Sequence, residues 1–145
     1  HASGVPWDDP SGVLLREWMG VSDETFYDPS KVAIVPMGFC YPGRGKSGDA
    51  PPRPECAPLW HDKINELLKP RLILLVGSYA QARYLGDARK KTLTQTVRTW
   101  RDYPTDRLAL PHPSPRNRPW LAKNPWFATE IVPLLRRRVR RALKA

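Results

Sequence analysis

Apolar and polar positions alternate along this chain in ways that separate helical from extended stretches. Val13, Leu14, Leu15 and Trp18 fall on one side of a helix through GVLLREWMG, with Ser11 placed to cap it and Gly20 to stop it. KVAIVPMGF, residues 31 to 39, is β-branched and apolar at its start, which predicts a strand that ends at Pro36 and opens onto a loop from Cys40. Helical spacing returns in Leu59, Ile64, Leu67 and Leu68, and Pro70 stops it. RLILLVG, residues 71 to 77, is almost wholly apolar, the pattern of a strand covered on both faces of a parallel sheet, and SYAQARYLG after it predicts a helix. RLALP, residues 107 to 111, predicts the last strand. NPWF, residues 124 to 127, predicts the start of the last helix, with Asn124 as cap, Pro125 at the first position, and Trp126 and Phe127 in the core. That helix runs on through TEIVPLLRRRVRRALKA, with Ile131, Leu134, Leu135, Val139 and Leu143 as its inner stripe and five arginines between 136 and 141 mostly outside.

Strands alternating with helices predict an α/β fold, a three-layer α/β/α arrangement around a central parallel sheet of about four strands. In such sheets a ligand lies beyond the carboxyl ends of the strands. Three loops are expected there: Pro36 to Pro58, Gly77-Ser78, and His112 to Pro119.

The 145 residues suit one domain with one core. Twenty-four basic against fourteen acidic side chains give a formal charge of +10, which points to a polyanionic partner, nucleic acid first. The chain has no apolar run of about eighteen residues and no recognisable leader, so a soluble, cytoplasmic protein that does not enter a membrane is expected, as a monomer. Cys40 and Cys56 are too few for a disulfide scaffold. Many of the seventeen prolines gather in PGRGKSGDAPPRPECAP (42 to 58) and PHPSPRNRP (111 to 119), short loops bracketed by apolar segments. GRGKSG lacks the four-residue gap of a GxxxxGK[ST] phosphate loop and does not lead from strand directly into helix, so a nucleoside triphosphate site is rejected there. Arg44, Lys46 and Arg53 suit a DNA backbone or face water.

LPHPSPRN, residues 110 to 117, sets a histidine between two prolines and follows it with serine, arginine and asparagine. Each proline fixes its own φ and pushes the preceding residue out of the helical region, so this turn is stiff. It resembles the HPSP motif of uracil-excising enzymes of the uracil-DNA glycosylase superfamily, and its Arg-Asn extension resembles the single-strand-selective monofunctional branch. LLVGSYAQ, residues 74 to 81, is similar to the strand and turn whose serine contacts a phosphate in those enzymes. GVPW, residues 4 to 7, resembles the segment whose aromatic ring stacks on the extruded base. Cys40 and Cys56, sixteen positions apart, reproduce the spacing of two cluster ligands in the iron-sulfur members. The resemblance covers essentially the whole chain.

The resemblance implies a monofunctional DNA repair glycosylase. Such an enzyme swings a nucleotide out of the stack and cuts its base from the sugar. His112 would be the catalytic hydrogen-bond donor to the departing base. Trp7, with Pro36, Met37 and Gly38, would line the base pocket, and Ser78, Ser114, Arg116 and Asn117 would hold DNA, Arg116 as the wedge that fills the vacated stack. Asn117 is as well explained as a local turn cap. Cys40 and Cys56 would bind a 4Fe-4S cluster whose other two cysteines, with the family's glycine-rich first strand and its water-positioning residue, would precede residue 1. The asparagine that reads uracil in the family aligns with Pro36, which widens the range of deaminated bases to consider. A DNA-binding or damage-recognising protein of this fold without excision is the alternative, and an iron-sulfur module with a structural partner is a third.

Overall fold

The computed structural model describes residues 5–37, 44–45, 48–49 and 60–144, and its backbone contacts divide the chain into two compact units, residues 1–34 with 110–145, and residues 35–109.

In the first unit, helix α1 (Pro10–Met19) starts two residues earlier than the pattern predicts. Asp9, not Ser11, is its cap: the Asp9 carboxylate accepts the Gly12 N–H at 2.8 Å, and Pro10 occupies the first turn, where a missing N–H costs nothing. Gly20 ends it in the left-handed region, at φ 69°, as expected. A short helix α2 (Asp23–Phe26) follows, capped by Ser22, and α6 (Arg118–Lys123) and α7 (Val132–Lys144) complete the unit.

Asn124 does not cap the last helix. Its side-chain amide donates to the Trp120 carbonyl at the end of α6 and its oxygen accepts the Trp126 indole N–H. Between α6 and α7, residues Phe127–Ile131 form a widened π turn. Pro133 accounts for it, because a proline in the first turn of α7 has no N–H for the carbonyl four residues back and its ring crowds that group. The predicted inner stripe holds: Ile131, Leu134, Leu135 and Val139 are buried, and only Leu143 emerges. Trp18 of α1 meets Phe127 edge to face at 4.9 Å, and Arg136 donates to the Glu17 carbonyl at 2.8 Å.

The second unit holds β1 (Arg44–Gly45) and β2 (Gly48–Asp49), a minimal antiparallel pair inside the GRGKSGD loop, then α3 (Asp62–Leu68), β3 (Ile73–Val76), α4 (Ser78–Leu85), α5 (Leu93–Arg98) and β4 (Arg107–Leu110). Strands β3 and β4 pair in parallel and α4 packs on β3, so the α/β character is present with a parallel sheet of two strands among the described residues. Leu75, Leu108 and Ala109 are buried, with Val97 and Tyr103 beside them in the core of the unit.

The strand predicted from Lys31 does not form: residues 32–36 carry no regular structure. The N–H groups of Lys31 and Val32 turn back to the Asp28 carbonyl, Pro36 has none, and its carbonyl goes to a histidine ring, so the segment has little left to offer a ladder. Helix α3 also departs from its pattern, since Leu67 and Leu68 are exposed. Polar contacts fix it instead, an Arg83–Asp62 ion pair at 2.8 Å and an Asn65 to Tyr84 hydrogen bond at 2.9 Å. Among the described residues no helix is long and apolar enough to cross a membrane.

Leu135→Ala, at a side chain with no exposed surface, is expected to lower unfolding free energy by about 2–5 kcal/mol in denaturant titration. Leu67→Ala, at a side chain 84% exposed, is expected to change it by less than about 0.5 kcal/mol.

Candidate functional site

Strand β4 delivers the chain into Pro111, His112 and Pro113. Both prolines are buried and the histidine between them is turned outward. The loop is tied to itself: Ser114 Oγ accepts the Arg116 N–H at 3.2 Å, the Asn117 N–H bonds the Ser114 carbonyl at 2.9 Å, and Asn117 Nδ2 donates to the His112 carbonyl at 2.6 Å. Asn117 thus clamps the backbone of the very residue that would carry the chemistry, and Ser114 caps the turn Pro115–Asn117. Arg116 stands exposed at the tip of that turn.

Trp7 comes to this histidine from the other end of the first unit. The indole lies over the imidazole, centroids 5.3 Å apart and planes 29° from parallel. Partial burial pushes the His112 pKa below the ordinary histidine value, while the nearby Asp9 carboxylate acts in the opposite direction. Desolvation is the larger cause, so the ring favours its neutral state, with one N–H donor and one acceptor nitrogen. A base sandwiched between the two rings would need two contact gaps of about 3.5 Å, roughly 7 Å in all, so 5.3 Å leaves no room there. A planar ligand can instead reach the half-exposed Trp7 beside the histidine edge.

Trp7 adopts φ 62°, a left-handed backbone that a bulky residue takes only under constraint. The constraint was not visible in the sequence. Arg16 of α1, 6% exposed, donates from Nη1 to the Trp7 carbonyl at 3.1 Å and to Tyr27 Oη at 3.2 Å, and Tyr27 Oη donates to the Pro6 carbonyl at 2.7 Å. Gly12 leaves space for that same Trp7 carbonyl, since a Cβ there would overlap its oxygen. A single arginine inside the apolar VLLREWM, seven residues before the acidic and aromatic DETFY, was the available signal.

The remaining predicted residues lie elsewhere. Pro36, Met37 and Ser78 belong to the second unit; Gly38, Cys40 and Cys56 fall outside the described residues. Ser78 is exposed in the first turn of α4, after Gly77 at φ 89°. The Pro36 carbonyl accepts a ring N–H from His61 Nε2 at 2.7 Å. His61 Nδ1 meets Tyr84 Oη at 2.6 Å, and Asn65 Nδ2 donates to the Tyr84 oxygen at 2.9 Å. His61 is 1% exposed, so this chain of bonds pins the Pro36 backbone from inside. It too went unforeseen. An open cavity of about 390 Å³ in the second unit, between Asp62, Asn65, Arg83, Tyr84 and Arg107, contains none of the predicted site residues. Among the described residues no three His, Cys, Asp or Glu side chains gather as a metal site.

The Uracil DNA glycosylase superfamily matches residues 1–136, so the chain belongs to that superfamily of DNA glycosylases, hydrolases that act on DNA.

In an NMR titration, His112 is expected to show a midpoint below about 6.5, because desolvation of the imidazolium outweighs Asp9. Trp7→Ala uncovers one ring face and is expected to move that midpoint upward. A wild-type midpoint above the ordinary value would reverse this account.

Proposed function

We propose that this protein is a monofunctional glycosylase that removes uracil or another deaminated base from DNA and leaves an abasic site. The observation that carries the reading is the Trp7–His112 pair on a proline-stiffened loop. The extruded base docks on the half-exposed indole, which replaces part of the lost stacking, and its edge meets the imidazole. As the C1′–N bond breaks, the sugar gains positive charge and the base leaves as an anion. The neutral His112 N–H donates to the base oxygen where that negative charge collects, an interaction stronger in the transition state than in the ground state. A neutral ring also avoids placing a cation beside the developing oxocarbenium. Water then adds to C1′, and the sequence places no lysine beside His112 to form a Schiff base with the sugar.

Ser114 and Asn117 shape the loop, and Arg116 at its tip is placed to fill the stack or meet a phosphate. In this reading Met37 and Gly38 offer the base only backbone groups, and Ser78 offers the first turn of α4 to a backbone phosphate. The protein acts as a monomeric single domain in this reading. Cys40 and Cys56 supply two ligands of a 4Fe-4S cluster, supported by their spacing and the family resemblance. Two thiolates are half of the usual set, and no step above depends on them.

One observation favours the second reading, a damage-recognising protein without excision. The residue in the base-reading position, Pro36, has no side-chain donor and its carbonyl is already bonded to His61. Release of free base from uracil, hypoxanthine and xanthine oligonucleotides separates the two.

His112→Ala is expected to reduce excision by about a hundredfold or more while leaving DNA affinity within about threefold. Equal loss of both assigns His112 to folding. DNA affinity is expected to fall steeply between about 50 and 200 mM salt, and a flat response would remove the cationic contact.

A further inference from the structure

Arg16 is a deeply buried cation, 6% exposed, whose bonds link the Trp7 backbone to the Asp23–Tyr27 segment. Its Nη1 holds the Trp7 carbonyl and Tyr27 Oη, its Nε pairs with Asp23 at 2.8 Å, and its guanidinium lies 5.1 and 5.4 Å from the centroids of the Phe26 and Tyr27 rings. Tyr27 completes the circuit by donating to the Pro6 carbonyl. Two successive carbonyls, those of Pro6 and Trp7, are therefore held from α1 and α2 at the point where the chain adopts φ 62°. A non-glycine residue in that region is strained and persists only where its surroundings over-determine it.

Here the over-determination is visible. Gly12 admits the Trp7 carbonyl, Arg16 bonds it, and Tyr27 fixes the residue before it. The direction of the Trp7 Cα–Cβ bond follows from that backbone, and with it the plane the indole presents over His112.

We propose that Arg16, acting through Tyr27 and the Pro6-Trp7 backbone, is a positioning residue for the base-stacking indole. This rests on the reading of Trp7 as the base platform, and goes beyond it by assigning the platform's orientation to a buried cation that touches neither DNA nor base. A planar guanidinium is required: it reaches the carbonyl, the phenol and the carboxylate together, whereas a lysine ammonium is a point charge that cannot span the three.

The test uses Tyr27→Phe and Arg16→Lys. Tyr27→Phe deletes one hydroxyl and keeps the ring, the Arg16–Asp23 pair and the fold. For each variant, the His112 Hε1 resonance is compared with wild type and with Trp7→Ala, because the indole ring current acts directly on that proton. Thermal unfolding is measured alongside, and uracil excision from a single-stranded oligonucleotide is resolved into KM and kcat. The expected result is a Hε1 resonance displaced from wild type toward its position in Trp7→Ala in both variants, with KM raised by about tenfold, a fraction of what a base–aromatic stack contributes, and kcat changed less. A Hε1 resonance at the wild-type position in Tyr27→Phe overturns the proposal, whatever happens to stability, and decides the matter even if Arg16→Lys fails to fold. If the wild-type protein excises no base, the reading of function falls while the resonance still judges the positioning role by itself.

Discussion

The candidate site depends on a backbone conformation that tryptophan does not choose for itself. Trp7 sits in the left-handed region because its carbonyl enters the space that Gly12 leaves open and is bonded there by a buried guanidinium. Remove that cradle and the indole has no reason to lie over His112. The His112 pKa lies below the ordinary histidine value, with desolvation outweighing the Asp9 carboxylate, so the neutral ring is favoured. A steric allowance at Gly12 thus bears on the ring contact made by His112, 100 residues away in sequence.

The opposite end of the pairing is fixed by different means. His112 stands between two buried prolines whose φ values are set covalently, and Asn117 ties its carbonyl at 2.6 Å. The loop therefore loses little conformational freedom when it meets a ligand, since much was already lost in the unfolded chain. Pro36 in the second unit is held by yet another device, the His61, Tyr84 and Asn65 relay, which satisfies every ring nitrogen of a histidine with almost no exposed surface.

Much of the scaffold was legible from residue pattern alone. The apolar run of β3, the spacing of α4, the short β4 and the stripe of α7 announce themselves because burial and period coincide there. The motif residues His112 and Trp7 were also legible, and the structure brings them into contact. What escaped the pattern has a common cause. Val32 to Val35 look like a strand because β-branching describes a residue's own preference and says nothing of whether a partner strand exists. Leu67 and Leu68 have helical spacing yet face solvent, because α3 is held by its polar side. Arg16 and His61 drew no reading from the sequence, since a single polar letter carries no sign of the tertiary partners that compensate its burial.

The arginine face of α7 gives the molecule one further property. Arg138 is held below the ordinary arginine range by burial and by its like-charged neighbours Arg137 and Arg141, so cations crowd one another along the same helical surface. Such crowding works against the helix that carries it. A polyanion that binds the folded helix more tightly than the unfolded chain couples its occupancy to the folded population. Counterions in the medium act in the same sense, which makes the ionic surroundings a participant in the protein's own persistence.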